Sequence, residues 1–270
     1  MKLLNRMAAI AAGVAAAALL AGSAQAVAGN RTWTRPTVVL VHGAFADSSS
    51  WNGVVSKLLR DGYPVIAAAN PLRGLHSDAE YVRSVLDSVP GPIVLAGHSY
   101  GGSVMSEAAD GDTDVKALVY IASFAPEKGE STSALAAKFP GGELGPALNS
   151  VPVTIPGAGV GTDLYIKQEE FRRVFAADVP RKTTDLMAAT QRPITSAALD
   201  ETATRTAWKS IPSWFLVTRQ DLAIPPDSMR FMAERAKSRT VEINASHAVT
   251  VSKPGAVADL IDRAARATTR

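Results

Sequence analysis

The sequence of 270 residues contains no cysteine. This absence excludes disulfide bonds and every metal site built on thiolates, so the folded chain depends on packing alone. Aromatic residues are also few, at 6% of the chain, which weighs against an aromatic-rich carbohydrate-binding protein. The formal net charge is only +3, and nothing in this charge balance indicates a nucleic-acid partner.

A long apolar run is lacking as well, and the one short run lies near the start of the chain. Residues 1–26 combine a basic start, an apolar and alanine-rich stretch at 7–21, and an A-x-A pattern at 24–26. These three parts predict a cleaved secretory signal peptide rather than a membrane anchor or a buried helix. Cleavage is expected just before Val27, or after Ala28, and the mature protein would be secreted or periplasmic. Removal of the two basic residues of the leader would lower the net charge from +3 to +1.

After the leader, strand-like and helical segments alternate from residue 36 onward. Runs of β-branched and apolar residues, such as 37–41 and 93–96, are typical of strands buried on both faces of a parallel sheet. The segment 51–60 has helical spacing, with Ser50 as a candidate N-cap. Alternation of this kind predicts an α/β fold, with a mostly parallel sheet flanked by helices.

This alternation is interrupted after Pro126 and resumes at residue 213. The interrupted stretch contains Gly/Pro-rich segments and two helical patterns, at 168–177 and from 183 onward. Since the parts on either side complete one sheet, we expect a single core with an insertion. The predicted organisation is a signal peptide at 1–26, a core formed by 27–126 and 207–270, and a largely helical cap, or lid, at 127–206.

A G-x-S-x-G motif follows directly on one of these strands. Gly97-His98-Ser99-Tyr100-Gly101 stands between the strand-like run at 93–96 and a helical pattern. Glycines on both sides of the serine permit a sharp strand-to-helix turn that exposes its hydroxyl. The motif therefore predicts that Ser99 is a nucleophile, against the alternative of a tight turn with an incidental serine.

A nucleophilic serine needs a histidine as base and an acid that orients the histidine. In α/β-hydrolases they follow in the order serine, acid, histidine, each after a strand. His247 is the histidine that follows the late strand at 240–243. Asp221 follows the strand at 213–218 and is favoured as the acid, with Glu127, after the preceding strand, as the rival.

Two backbone N–H groups are required to stabilise the oxyanion that forms in acyl transfer. Tyr100, directly after the nucleophile, and Ala44, in the loop after the first strand, are the expected donors. Phe45 could donate in place of Ala44, and its ring is expected in the acyl pocket or in the core. Within the cap, Phe139, Phe171 and Met187 are further candidates for substrate binding, although spacing alone does not decide which of them face the site.

Four motifs occur in order along the chain: VLVHGA at 39–44, GHSYGG at 97–102, Asp221 with Ile-Pro at 224–225, and Ser246-His247. Together they resemble the plant methyl-ketone/methyl-salicylate esterase and hydroxynitrile lyase group of the α/β-hydrolase superfamily, with its bacterial esterase relatives. The similarity extends from residue 36 to residue 266. It implies a catalytic triad of Ser99, Asp221 and His247, an oxyanion hole at Ala44 and Tyr100, and a cap over the site.

Three positions distinguish the esterases from the lyases of this group. The lyases have a threonine after the first histidine, a lysine after the catalytic histidine and an acid before the nucleophile. Here these positions hold Gly43, Ala248 and His98. The sequence therefore predicts a serine ester hydrolase that forms an acyl-enzyme from a small-molecule ester, without cofactor or metal. A cofactor-independent lyase or oxygenase of the same fold, and a slow-turnover protein that binds a small ligand, are the alternatives.

Overall fold

A computed structural model describes residues 35–155 and 159–268, so the predicted signal peptide lies outside the described residues. The elements in chain order are β1 (Thr37–Val41), α1 (Asn52–Arg60), β2 (Val65–Ala68), α2 (Leu75–Asp87), β3 (Ile93–Ser99), α3 (Tyr100–Ala108), β4 (Val115–Ser123), α4 (Thr132–Ala136), β5 (Leu148–Ile155), β6 (Gly159–Ile166), α5 (Gln168–Phe175), α6 (Arg181–Thr190), β7 (Ile194–Thr195), α7 (Ser196–Asp200), β8 (Ser213–Thr218), α8 (Pro226–Arg235), β9 (Arg239–Ile243), α9 (Val249–Ser252) and α10 (Pro254–Thr268). Across these ranges, no helix is long and apolar enough to cross a membrane.

A six-stranded sheet in the order β2-β1-β3-β4-β8-β9 forms the centre of the protein. Every neighbouring pair in this sheet is parallel. Helices flank it: α1 packs against α10, and α2 packs against α3. The expectation of an α/β fold with a mostly parallel sheet is confirmed. Because the strands are parallel, the loops that follow their carboxyl ends meet at one edge of the sheet.

The apolar runs of the sequence form the central strands. Residues 38–41 of β1 have no exposed surface, and all seven residues of β3 are buried. Strands of this kind need apolar side chains on both faces, because helices cover both faces of a parallel sheet. The burial of these strands gives the sheet edge a rigid support for functional loops.

A second, three-stranded antiparallel sheet in the order β5-β6-β7 lies within residues 127–206, which we call the cap segment. The predicted helical patterns of this segment correspond to α5 and α6, whereas its sheet was not expected in a largely helical cap. Strand β5 contains Pro152 and lies at the edge of the sheet. A proline has no N–H to donate and is tolerated in an edge strand, which makes such strands hard to recognise from sequence. The proposed domain boundaries remain a prediction.

Candidate active site

Ser99 occupies a sharp turn between β3 and α3. Its backbone has φ 55° and ψ −127°, a conformation that is uncommon for a residue other than glycine. A Cβ on Gly97 would lie 2.6 Å from the carbonyl oxygen of Gly101, and a Cβ on Gly101 would lie 2.4 Å from the carbonyl oxygen of Val41. Glycines are therefore required on both sides of the serine, as the G-x-S-x-G pattern predicts.

Ser99, His247 and Asp221 form a continuous chain of hydrogen bonds. The Nε2 atom of His247 lies 2.9 Å from the Oγ atom of Ser99, and its Nδ1 atom lies 2.8 Å from Oδ2 of Asp221. Since a carboxylate accepts the proton of Nδ1–H, Nε2 is left free to accept the serine proton. The three residues are 7%, 1% and 2% exposed. Ser99 is the last residue of β3, Asp221 follows β8 and His247 follows β9, so the parallel sheet brings together residues that are far apart in sequence.

The carboxylate of Asp221 is held by further donors. Its Oδ1 atom accepts the backbone N–H groups of Ala223, at 2.8 Å, and Ile224, at 2.9 Å, and its Oδ2 atom accepts the hydroxyl of Thr218 at 2.8 Å. These bonds orient the carboxylate toward the imidazole. Glu127, the rival candidate, instead forms an ion pair of 2.6 Å with Lys209.

Two further buried histidines, His42 and His98, lie near Ser99 and His247. The Nε2–H group of His98 donates to the carbonyl oxygen of His247 over 2.9 Å. Burial lowers the pKa of His98 to about 3, with the nearby His247 as a second cause. The Nδ1–H group of His42 donates to the carbonyl oxygen of Gly43 over 2.9 Å, and burial lowers the pKa of His42 to about 4. Both side chains are therefore neutral near pH 7.

A cavity of about 60 Å³ adjoins the serine and the histidine. Its lining carries no Asp, Glu, Lys or Arg side chain, and consists of Ala44, Phe45, Ser99, Tyr100, Phe124, Thr132, Ser133, Ala136, Leu144, Phe175, Leu199, Ala223, Ile224 and His247. The two candidate oxyanion donors, Ala44 and Tyr100, both belong to this lining. Tyr100 is the first residue of α3, where the backbone N–H has no acceptor within the helix. This arrangement can bind an uncharged group next to the hydroxyl of Ser99, whose proton Nε2 of His247 can accept.

The four candidate substrate-binding residues occupy different positions. Phe45 lines the cavity and contacts Phe175 edge-on, with 6.3 Å between ring centroids. Phe171 lies outside the lining: its ring is buried next to that of Phe175, at 5.1 Å between centroids. Phe139 also lies outside, and packs against Phe231 at 5.8 Å between centroids.

Met187 lines a second, more open pocket of about 180 Å³. Phe45 belongs to the lining of this pocket as well as to that of the cavity, so the two spaces share this residue. Phe175 also lines the cavity and was not among the predicted substrate-binding residues. It lies four positions after Phe171 in α5, and this helical spacing is the signal that could have identified it.

Among the residues that the structure describes, no group of three or more His, Asp or Glu side chains is arranged to hold a metal ion.

Comparison with known proteins identifies the family. A family model described as "Alpha/beta hydrolase family" matches residues 38–260. The chain is 26% identical over 255 residues to alpha/beta hydrolase nvfD of Aspergillus novofumigatus, covering 86% of this chain and 97% of that protein. It is 27% identical over 251 residues to the pyrethroid hydrolase of Sphingobium wenxiniae, covering 83% of this chain and 85% of that protein.

A solved structure has the same fold. The crystal structure of polyneuridine aldehyde esterase superposes with a TM-score of 0.73 at 18% identity, covering 85% of this chain and 98% of that chain. The family model spans well over half of the sequence, and the predicted resemblance to esterase relatives of this fold is confirmed. The chain belongs to the alpha/beta hydrolase family.

Proposed function

We propose that this protein is a secreted serine carboxylic-ester hydrolase that cleaves a small-molecule ester through an acyl-enzyme. The observation that carries the proposal is the hydrogen-bonded chain from Ser99 through His247 to Asp221, next to a cavity without charged side chains. The esterase and hydrolase names of its relatives support an ester bond as the bond that is cleaved.

In the proposed mechanism, Oγ of Ser99 attacks the ester carbonyl carbon while Nε2 of His247 takes the serine proton. Asp221 holds the imidazole and stabilises its positive charge. The negative charge on the carbonyl oxygen is stabilised by the N–H groups of Ala44 and Tyr100 and by the N-terminus of α3. Collapse of this intermediate breaks the bond to the alcohol, which receives the proton from His247, and leaves an acyl-enzyme.

A water molecule then releases the acyl group. His247 takes a proton from the water, which attacks the acyl carbonyl carbon, and the proton returns to Ser99 as the acid leaves. The chain's own groups provide the nucleophile, the base and the oxyanion donors. This sequence of steps therefore uses no metal ion and no cofactor.

The test is hydrolysis of p-nitrophenyl esters from acetate to octanoate, with the matching anilides, by the wild type and by Ser99→Ala. Loss of the nucleophile should lower turnover by about 10⁴- to 10⁶-fold. Ser84→Ala is the matched control, because the hydroxyl of Ser84 is exposed and bonds only to its own helix at Glu80. Ester turnover by a folded Ser99→Ala protein at the wild-type rate would refute the proposal.

Export is a separate part of the proposal and rests on residues 1–26 of the sequence. The basic start, the short apolar stretch and the A-x-A pattern support cleavage by a signal peptidase. N-terminal sequencing of the protein from the medium or periplasm should find a start near Val27. Exported protein that retains the apolar stretch would contradict this part alone.

A further inference from the structure

The loop that carries the catalytic histidine, residues 244–248, is contacted at three consecutive positions by residues 175–178 of the cap segment. The hydroxyl of Ser246 donates to Oδ1 of Asp178. The backbone N–H of Ala248 donates to the carbonyl oxygen of Phe175 over 2.8 Å. The ring of Phe175 also lies against the imidazole of His247, with 4.8 Å between centroids. The histidine is therefore held from the cap segment at its own ring and at both neighbouring residues.

The core contacts the same loop as well: Nε2–H of His98, in β3, donates to the carbonyl oxygen of His247. The backbone around His247 is thus held both by the turn between β3 and α3 and by the cap segment. One of these contacts, the hydrogen bond between Ser246 and Asp178, joins two side chains that have no role in the proposed mechanism. They are 68 positions apart in the sequence.

A contribution to the stability of the fold does not explain why Asp178 is placed here. Its Oδ2 atom is buried and has no hydrogen-bond partner among the described residues. A buried carboxylate oxygen without a donor costs free energy, so a half-satisfied carboxylate is a poor source of stability. Buried polar atoms without partners are rare in folded proteins and call for another explanation. The partner of the other carboxylate oxygen provides one, because Oδ1 accepts from Ser246, the residue directly before His247 in the sequence.

We propose that Asp178 is a positioning residue: through Ser246 it holds the histidine loop so that Nε2 of His247 stays within hydrogen-bond distance of Ser99. This inference rests on the proposed function. Proton transfer needs the base within about 2.6 to 3.2 Å of the hydroxyl, and a displacement of 1 Å lowers rates by about 100-fold. The bond from Ser246 to Asp178 fixes the loop one residue before the base, where a small backbone shift would move the imidazole directly.

Two pairs of variants test the bond. Asp178→Ala and Ser246→Ala should each lower kcat by about 10- to 100-fold and leave KM within about twofold, because neither residue lines the cavity. Asp178→Asn and Ser246→Thr should retain most of the activity, since an amide oxygen still accepts and a threonine still donates. Asp185→Ala is the control, because Asp185 belongs to the same cap segment, is 66% exposed and makes only a 3.9 Å pair with Arg181. Thermal unfolding of every variant reports whether it is folded.

A second measurement isolates the histidine. A fluorophosphonate probe reacts with the serine only when the base takes its proton, so its inactivation rate reports the Ser99–His247 contact without ester turnover. This rate should fall in Asp178→Ala by the same factor as kcat. The double variant Asp178→Ala/Ser246→Ala should be no slower than either single variant, because both remove one bond.

The proposal is overturned if the two alanine variants keep the wild-type kcat and inactivation rate. It is also overturned if Asp178→Asn, while folded, loses as much as Asp178→Ala, or if the double variant shows the product of the two single losses. These results differ from a failure of the proposed function, in which Ser99→Ala would itself remain active.

Discussion

A Cβ atom on Gly43 would lie only 2.6 Å from the Cβ of Ser99 and 2.8 Å from the carbonyl oxygen of His98. No side chain fits at position 43 unless the turn at His98 and Ser99 moves. The threonine that the related lyases carry at this position therefore has no room here. Ala248, which follows His247, has a neutral side chain and is only 1% exposed.

The first prediction follows from these two positions. The protein should hydrolyse esters but release no cyanide from mandelonitrile above the uncatalysed rate. Position 43 has no hydroxyl to hold the cyanohydrin oxygen, and position 248 has no cation beside the leaving cyanide. Both reactions are measured near neutral pH with one preparation, and Ser99→Ala serves as the control. Cyanide release that depends on Ser99, together with inert esters, would favour the lyase alternative.

The second prediction concerns the acid. In Asp221→Asn, the amide oxygen can still accept from Ala223 and Ile224, which turns the NH₂ group toward His247. The imidazole must then accept at Nδ1 and carry its proton on Nε2, where it cannot take the serine proton. We expect a folded protein with kcat lowered by about 10⁴-fold. Glu127→Gln removes the rival carboxylate and should stay near the wild-type rate; the reverse result would identify Glu127 as the acid.

The third prediction concerns Phe45, which lines both the cavity beside Ser99 and the pocket lined by Met187. The backbone of Phe45 has φ 59°, which is strained for an aromatic residue, so Phe45→Gly removes the ring without adding strain. We expect the ratio of octanoate to acetate hydrolysis to rise by about 10-fold as the two spaces join. Phe139→Ala, which removes a ring packed on Phe231 outside both linings, should leave this ratio unchanged. An unchanged ratio in Phe45→Gly would mean that the ring does not limit chain length.

The fourth prediction concerns stability and pH. The pKa of His42 is about 4 in the folded protein and about 6.5 in an unfolded chain. Below pH 6.5 the unfolded state therefore binds a proton that the folded state does not, and stability is lost as the pH falls toward 4. The loss reaches about 1.4 kcal/mol per pH unit for each such histidine, and His98 acts in the same direction.

Urea unfolding at several pH values between 7 and 4.5 measures this effect. The free energy of unfolding of the wild type should fall as the pH is lowered across this range. The fall should be shallower in His42→Asn, because asparagine at position 42 does not titrate. Equal slopes in the two proteins would show that His42 is not the group responsible.

The candidate site was predictable where local backbone geometry determines the residue type. Gly97 and Gly101 identify the turn in the sequence, because only glycine fits their close contacts with neighbouring backbone. The order of the strands then indicates Asp221 and His247. Phe171 was harder, because α5 buries both Phe171 and Phe175. Helical spacing identifies that shared face but does not tell which ring reaches the cavity. The bond between Ser246 and Asp178 had no sequence signal at all, since it joins two loops that only the folded cap segment brings together.

The contacts between residues 175–178 and the histidine loop also bear on recombination between relatives. A chimera that takes its cap segment from another family member would replace Phe175 and Asp178 while keeping Ser246 and Ala248. Such a graft would change the contacts that hold His247 and its two neighbours in place. The two segments are therefore best exchanged as one unit, with the crossover points chosen so that residues 175–178 and 244–248 come from the same parent.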